Sequence, residues 1–173
     1  MGEISERETD PIGKFLRAPS VQFELTMPGP IERIWELLTD TACLPEWFGN
    51  GTIEPHVGGQ VTLLDGHVRG VVTQWMPPRL LVYTWNVYGP GDQDSPYPES
   101  YVRFELENHG DEVMLRLTHL PVLERFEKQN AMGWHTFLNM VSAAARGKTP
   151  LPRADYMKQN ATRYGVDLAN LAK

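Results

Sequence analysis

One cysteine, Cys43, stands in 173 residues. A lone thiol excludes an intramolecular disulfide and any metal site built from several cysteines. Long apolar runs are also missing: nothing approaches the roughly 20 consecutive apolar residues that cross a bilayer, so no membrane insertion is expected. The first ten residues are acidic and have no apolar centre, so a signal peptide is not expected there either. Positive charge is scarce, with 16 Lys+Arg against 22 Asp+Glu and a net charge of -6. Residues 1–145 hold 10 basic and 20 acidic side chains, whereas 146–173 hold 6 basic and 2 acidic. An acidic body argues against nucleic acid as a partner, because affinity for phosphate backbones rests on Lys and Arg. The basic end is expected to form a short helix lying on that body or on a neighbouring subunit, with an arm for an anionic partner as the alternative. The default is a soluble, cytoplasmic protein.

The common catalytic signatures are absent too. There is no phosphate loop, no Gly-x-Ser-x-Gly elbow and no zinc-type pairing of His, Cys or Glu. His56, His67, His109, His119 and His135 are scattered, with no two one helical turn apart, so neither a metal nor a cofactor is expected. Glu105, Glu107 and Glu112 fall outward or beside a turn, where solvated charges belong. Cys43, between Asp40 and Glu46, reads as a small packing residue rather than a nucleophile. No residue is assigned a catalytic role.

What is present fits one domain of ordinary composition, 41% hydrophobic and 22% charged, long enough to bury a substantial core. Residues 1–19 are polar and unpatterned, and read as a leader. Val21, Phe23 and Leu25 alternate with Gln22, Glu24 and Thr26, the two-residue period of a strand with one buried face. Pro30 suits a helix start, and Ile31, Ile34, Trp35 and Leu38 follow at offsets of three, four and seven, predicting a helix to about Thr39. Asp40 and Thr41 can cap a second short helix carrying Leu44, Trp47 and Phe48, closed by Gly49-Asn50-Gly51.

From Thr52 to His119 strands alternate with turns: about 52–56, 59–64, 68–76, 79–87, 100–107 and 112–119. Val102, Phe104 and Leu106 face one way, as do Val113, Leu115, Leu117 and His119, so one sheet face is apolar. Past Pro121, Phe126, Ala131, Trp134, Phe137, Leu138, Val141 and Ala145 follow a helical period up to Gly147, and the face they form needs the apolar sheet as its partner. A further weak helix is predicted within 154–172. The order of elements gives an α+β fold with an antiparallel sheet of about seven strands packed on a long helix near the end of the chain.

The interior is rich in aromatics: Trp35, Trp47, Phe48, Trp75, Tyr83, Trp85, Phe104, Trp134 and Phe137. Two readings follow, a solid aromatic core or a cavity lined by these rings with polar tips at Tyr83 and His119.

Ile34-Trp35-Glu36-Leu37-Leu38-Thr39-Asp40, Trp47-Phe48-Gly49, Val57-Gly58-Gly59 and Pro77-Pro78-Arg79-Leu80-Leu81-Val82-Tyr83-Thr84-Trp85 resemble the domain named after the activator of heat-shock protein 90 ATPase. Val102 to Leu106, Leu115 to His119 and Gly133-Trp134 with Leu138 continue the pattern, so that the resemblance covers about residues 20–147. That family belongs to the START-like or SRPBCC superfamily, and the resemblance implies a helix-grip fold in which a curved sheet and a long helix enclose a hydrophobic cavity. With the leader over 1–19 and the basic, helical extension over 148–173 read from the residues, the resemblance places the domain over 20–147.

By position, the resemblance implies that Trp47, Phe48, Tyr83, Trp85, Phe104, Leu115, Leu117, His119, Trp134, Phe137, Leu138 and Val141 line the cavity. The function expected is binding of a small hydrophobic molecule, lipid or aromatic, by a monomer or homodimer. Two alternatives stand beside it: an enzyme of cyclase or hydrolase type in which Tyr83 or His119 moves a proton, and a co-chaperone or other protein-interaction module. Two segments depart from the family pattern, the Gly89–Pro98 loop and the basic extension; the loop reads first as a solvated hairpin connection, and the alternative for either segment is to shape access to a pocket or to mediate self-association.

Overall fold

The computed structural model describes residues 12–173. Residues 1–11 of the expected leader lie outside the described residues, and 12–19 have no regular structure, with Ile12, Phe15 and Leu16 exposed. The first strand, β1 (Val21–Pro28), buries Val21 and Met27 and leaves Gln22, Glu24 and Thr26 exposed. Helix α1 (Ile31–Thr39) begins one residue after Pro30, which sits at the N-cap, and buries Ile31, Ile34, Trp35, Leu37 and Leu38. Its apolar stripe is wider than the four-residue spacing alone predicted.

The second short helix takes the form of one 3-10 turn, Leu44–Glu46, with Pro45 inside it. Proline supplies no N–H for an α-helical ladder, so the segment cannot extend as a regular helix. Trp47 then folds back, its indole Nε1 donating to the Leu37 carbonyl at 2.5 Å, and the chain leaves through Gly49 at φ 128°. That fold-back buries Trp47 and Phe48 almost completely.

Six more strands follow: β2 (Gly51–Ile53), β3 (Gln60–Leu63), β4 (Val68–Met76), β5 (Leu80–Val87), β6 (Ser100–His109) and β7 (Glu112–Leu120). They form one antiparallel sheet in the order β1-β7-β6-β5-β4-β3-β2. β2 is shorter than predicted, and after it Gly58 and Gly59 exchange backbone hydrogen bonds with Val72 of β4. The Asp65-Gly66 turn between β3 and β4 holds Leu64, Asp65 and Gly66 all at positive φ. β4 and β5 approach closely at Gly70, where a Cβ would lie 1.8 Å from the Thr84 carbonyl oxygen. Only glycine permits that approach.

Register fixes the inner face. Phe104 pairs with Leu117 and Leu81, Val102 pairs with His119 and Tyr83, and Leu106 pairs with Leu115. All are buried. The opposite face is wet and carries ion pairs between Arg103 and Glu105 at 2.9 Å and between Arg116 and Glu24 at 2.6 Å.

Helix α2 (Glu127–Ala145) lies against this inner face and buries Met132, Trp134, Thr136, Leu138, Val141 and Ala144. Helix α3 (Arg153–Tyr164) covers α2 from outside. Asn160, 2% exposed, donates to Thr136 Oγ1 at 3.2 Å and to Asn139 Oδ1 at 3.0 Å, and His135 Nδ1 lies 2.8 Å from the Tyr164 hydroxyl. The start of the basic extension thus packs as a helix on the body of the same chain, closed by Gly165 at φ 65°.

Candidate functional site

The interior is filled at one end and hollow at the other. At the filled end, Phe48 stands at the centre of an aromatic cluster, 4.3 Å from Phe137, 5.0 Å from Trp47 and 6.0 Å from Trp134 between ring centroids. Fused to this cluster are Tyr83 and Phe104, 6.4 Å apart, with Leu115, Leu117, Leu138 and Val141 packed around them. These eight residues, Trp47, Phe48, Tyr83, Phe104, Leu115, Leu117, Leu138 and Val141, form packed core and not the wall of the hollow.

The hollow is a cavity of about 410 Å³ between the end of β5, the start of β6, the end of β7 and the first turns of α2. Four of the twelve residues singled out from sequence line it: Trp85, His119, Trp134 and Phe137. Trp85 and Trp134 stand 5.2 Å apart as one aromatic wall. Sequence reasoning passed over the rest of the lining. Ser100 extends the inward parity of Val102 and Phe104 by one step, and Asn130 precedes Trp134 by one helical turn, so both were readable. His67, Tyr97 and Ala172 come from loops and from the end of the chain, where no periodicity points inward.

Both segments that departed from the family pattern reach this cavity. Tyr97 of the Gly89–Pro98 loop packs edge-on against Phe126 at 5.2 Å, turning inward a loop otherwise expected to be solvated. Ala172 exchanges two hydrogen bonds with the Gln129 side chain, its N–H donating to Oε1 at 2.6 Å and its carbonyl accepting from Nε2 at 3.4 Å. The extension therefore closes part of the rim.

Among the described residues, no Asp, Glu, Lys or Arg lines the cavity. Its polar floor is a chain of hydrogen bonds centred on His119, which is 3% exposed. The Trp134 indole Nε1 donates to His119 Nδ1 at 3.0 Å. An indole nitrogen can only donate, so Nδ1 carries no proton and the neutral ring holds its proton on Nε2. Nε2 then donates to Ser100 Oγ at 2.8 Å, and the Ser100 hydroxyl donates to the Trp85 carbonyl at 3.2 Å. Burial pushes the His119 pKa down to about 4, with the Asn130 side chain acting in the other direction. Both ring nitrogens are engaged, which removes His119 as a ready proton acceptor. Tyr83, the other candidate for moving a proton, lies in the packed core, and burial alone drives its phenol pKa upward.

Gly133 lines the cavity from the middle of α2, and a Cβ there would meet nothing within 4 Å. Glycine inside a helix costs about 0.5–1 kcal/mol relative to alanine. Here the missing side chain leaves space where larger residues would intrude. A larger depression, about 700 Å³, lies on the surface between residues 17–23 and α2, with Arg17, Glu127 and Lys128 in its lining. Its charged, open character suits a small apolar ligand less well than the aromatic cavity does. No group of three or more His, Cys, Asp or Glu capable of holding a metal occurs among the described residues, and no described helix is long and apolar enough to cross a membrane.

The family model described as "Activator of Hsp90 ATPase homolog 1-like protein" matches residues 28–145. Among solved structures, CalU16 from Micromonospora echinospora is 24% identical with a TM-score of 0.70, covering 86% of this chain and 87% of that one. The protein encoded by gene BPP1335 from Bordetella parapertussis is 27% identical with a TM-score of 0.65, covering 92% and 93%. PFC0360w, described as an HSP90 activator from Plasmodium falciparum, is 22% identical with a TM-score of 0.62, covering 74% and 96%. The likeness supports the helix-grip architecture that the family resemblance implied, in keeping with the order of elements. No curated protein matches the chain significantly.

Proposed function

We infer, for a chain that belongs to the activator of Hsp90 ATPase homolog 1-like family, that it binds a small, largely apolar aromatic molecule in the cavity walled by Trp85, Trp134 and Phe137. One observation carries this reading: about 410 Å³ of space, partly open to solvent, with aromatic walls and no Asp, Glu, Lys or Arg among the described residues of its lining. That volume falls within the range of about 300–1,000 Å³ typical of small-molecule sites, and the lining has the usual mix of apolar surface with few polar groups. Gly133 supports it, since a side chain at that position would reduce the space. Residues 20–147 act as the binding domain in this reading, and the extension 148–173 contributes part of the rim through Ala172.

Native mass spectrometry of the purified protein, before and after organic extraction, tests the proposal. A co-purifying small molecule that extraction removes is the expected result. The absence of any bound mass, together with no saturable quenching of tryptophan fluorescence by a panel of aromatic compounds, would contradict it.

A second reading, action on a heat-shock chaperone ATPase, is favoured by the family's description and by the relative described as an HSP90 activator. Stimulation of the chaperone's ATPase by the purified protein is its required result, and no change in turnover would remove it.

A further inference from the structure

Two histidines line the cavity, His119 buried at its floor and His67 exposed at its mouth, and their hydrogen bonds put them in opposite tautomers. His119 is saturated: Nδ1 accepts from Trp134 and Nε2 donates to Ser100. His67, just before β4, has its Nδ1 2.7 Å from the Tyr88 carbonyl oxygen, and the Tyr88 N–H returns a bond to the His67 carbonyl at 2.8 Å. A carbonyl can only accept, so Nδ1 of the neutral His67 ring carries the proton and Nε2 is left with a lone pair. No described residue donates to that nitrogen. Ser100 is committed in part, since its oxygen takes the His119 proton and its hydroxyl proton goes to the Trp85 carbonyl, whereas His67 Nε2 has its lone pair wholly uncommitted.

We propose that the cavity selects an aromatic molecule bearing a hydroxyl group, a phenol in chemical class, with the ring against Trp85, Trp134 and Phe137 and the O–H donating to His67 Nε2. This deepens the binding role proposed above and rests on it. An imidazole nitrogen pre-oriented by a backbone carbonyl is a strong acceptor, and a phenol supplies an acidic, uncharged donor. An uncharged ligand also suits a lining that offers no counter-charge, since burying a lone charge there would be costly. The wall thus supplies aromatic surface for the ring and, in His67 Nε2, an acceptor for its hydroxyl proton.

The experiment compares 2-naphthol with 2-methoxynaphthalene, which keeps the ring and loses the donor, by tryptophan quenching of wild-type protein and of His67→Phe. Wild-type protein is expected to bind 2-naphthol about three- to tenfold more tightly, the effect of one net hydrogen bond. In His67→Phe the two probes should bind alike. In parallel, nitrogen-15 imidazole spectra of the wild-type protein should give His67 as the Nδ1–H tautomer, with Nε2 shifting on addition of 2-naphthol and not of the methoxy compound. Equal affinities of wild-type protein for the two probes, a preference that survives in His67→Phe, or an Nε2–H tautomer at His67 would overturn the proposal while leaving cavity binding standing. Failure of both probes to bind either protein would overturn the binding role and this inference together.

Discussion

Trp134 and His119, fifteen residues apart on α2 and β7, are locked together by a 3.0 Å hydrogen bond from the indole Nε1 to Nδ1 of the imidazole. The bond joins the long helix to the sheet at the floor of the cavity and fixes the histidine as a neutral Nε2–H tautomer. Helix, sheet and polar floor are therefore coupled through one side-chain pair.

That coupling sets a pH dependence. The folded-state pKa of His119 lies at about 4, against an ordinary value of 6.5. Above about pH 6.5 the ring is neutral in both folded and unfolded chains, and its contribution is complete. As the pH falls from 6.5 towards 4, the unfolded chain takes up the proton and the folded chain does not, so stability declines, by on the order of 3 kcal/mol across the window. Urea unfolding between pH 7 and 4 should show this decline in wild-type protein and a shallower one in His119→Phe. Equal slopes would contradict the assignment.

Removing the donor while keeping an aromatic ring isolates the bond. Trp134→Phe leaves the buried Nδ1 without its partner and should cost about 1–3 kcal/mol of stability. The His119 pKa should rise as well, because a vacant Nδ1 in a loosened site can accept a proton. Titration followed by NMR of the imidazole checks the second effect, which a purely steric role for Trp134 would not produce.

Gly133 separates helix stability from cavity volume. Gly133→Ala adds a methyl group that meets nothing within 4 Å, so it should stabilise the protein by about 0.5–1 kcal/mol with little effect on ligand binding. A fall in melting temperature for Gly133→Ala would show that the space over this residue is not open.

Gly70 makes the opposite case. A Cβ at this position would lie 1.8 Å from the Thr84 carbonyl oxygen, a backbone atom that cannot swing aside. Gly70→Ala should force β4 and β5 apart and destabilise the fold by on the order of 3 kcal/mol. Thermal unfolding of the variant gives the answer directly.

Much of the architecture was legible because it rests on periodicity. Ile31, Ile34, Trp35 and Leu38 marked α1, and Val113, Leu115, Leu117 and His119 marked the inner face of β7, each through spacing alone. The second short helix was misread in form because Pro45 and the bond from Trp47 to Leu37 act locally and through tertiary contact, and neither leaves a periodic trace. The cavity was half legible. Trp85, His119, Trp134 and Phe137 follow from inward parity, yet parity cannot tell a residue facing a void from one facing Phe48, so Tyr83, Phe104 and Leu115 were grouped with them. His67, Tyr97 and Ala172 reach the site through loops and the end of the chain, and only three-dimensional proximity brings them there.

The most direct test of the account is a tryptophan-fluorescence titration of 2-naphthol into wild-type protein and into Gly133→Phe, both first confirmed as folded by thermal unfolding. Gly133→Phe places a ring in the space beside Trp134 that the ligand is held to occupy. The account predicts saturable quenching in wild-type protein and its loss in Gly133→Phe. Equal saturable quenching in both proteins, or none in either, would contradict a binding site in this cavity.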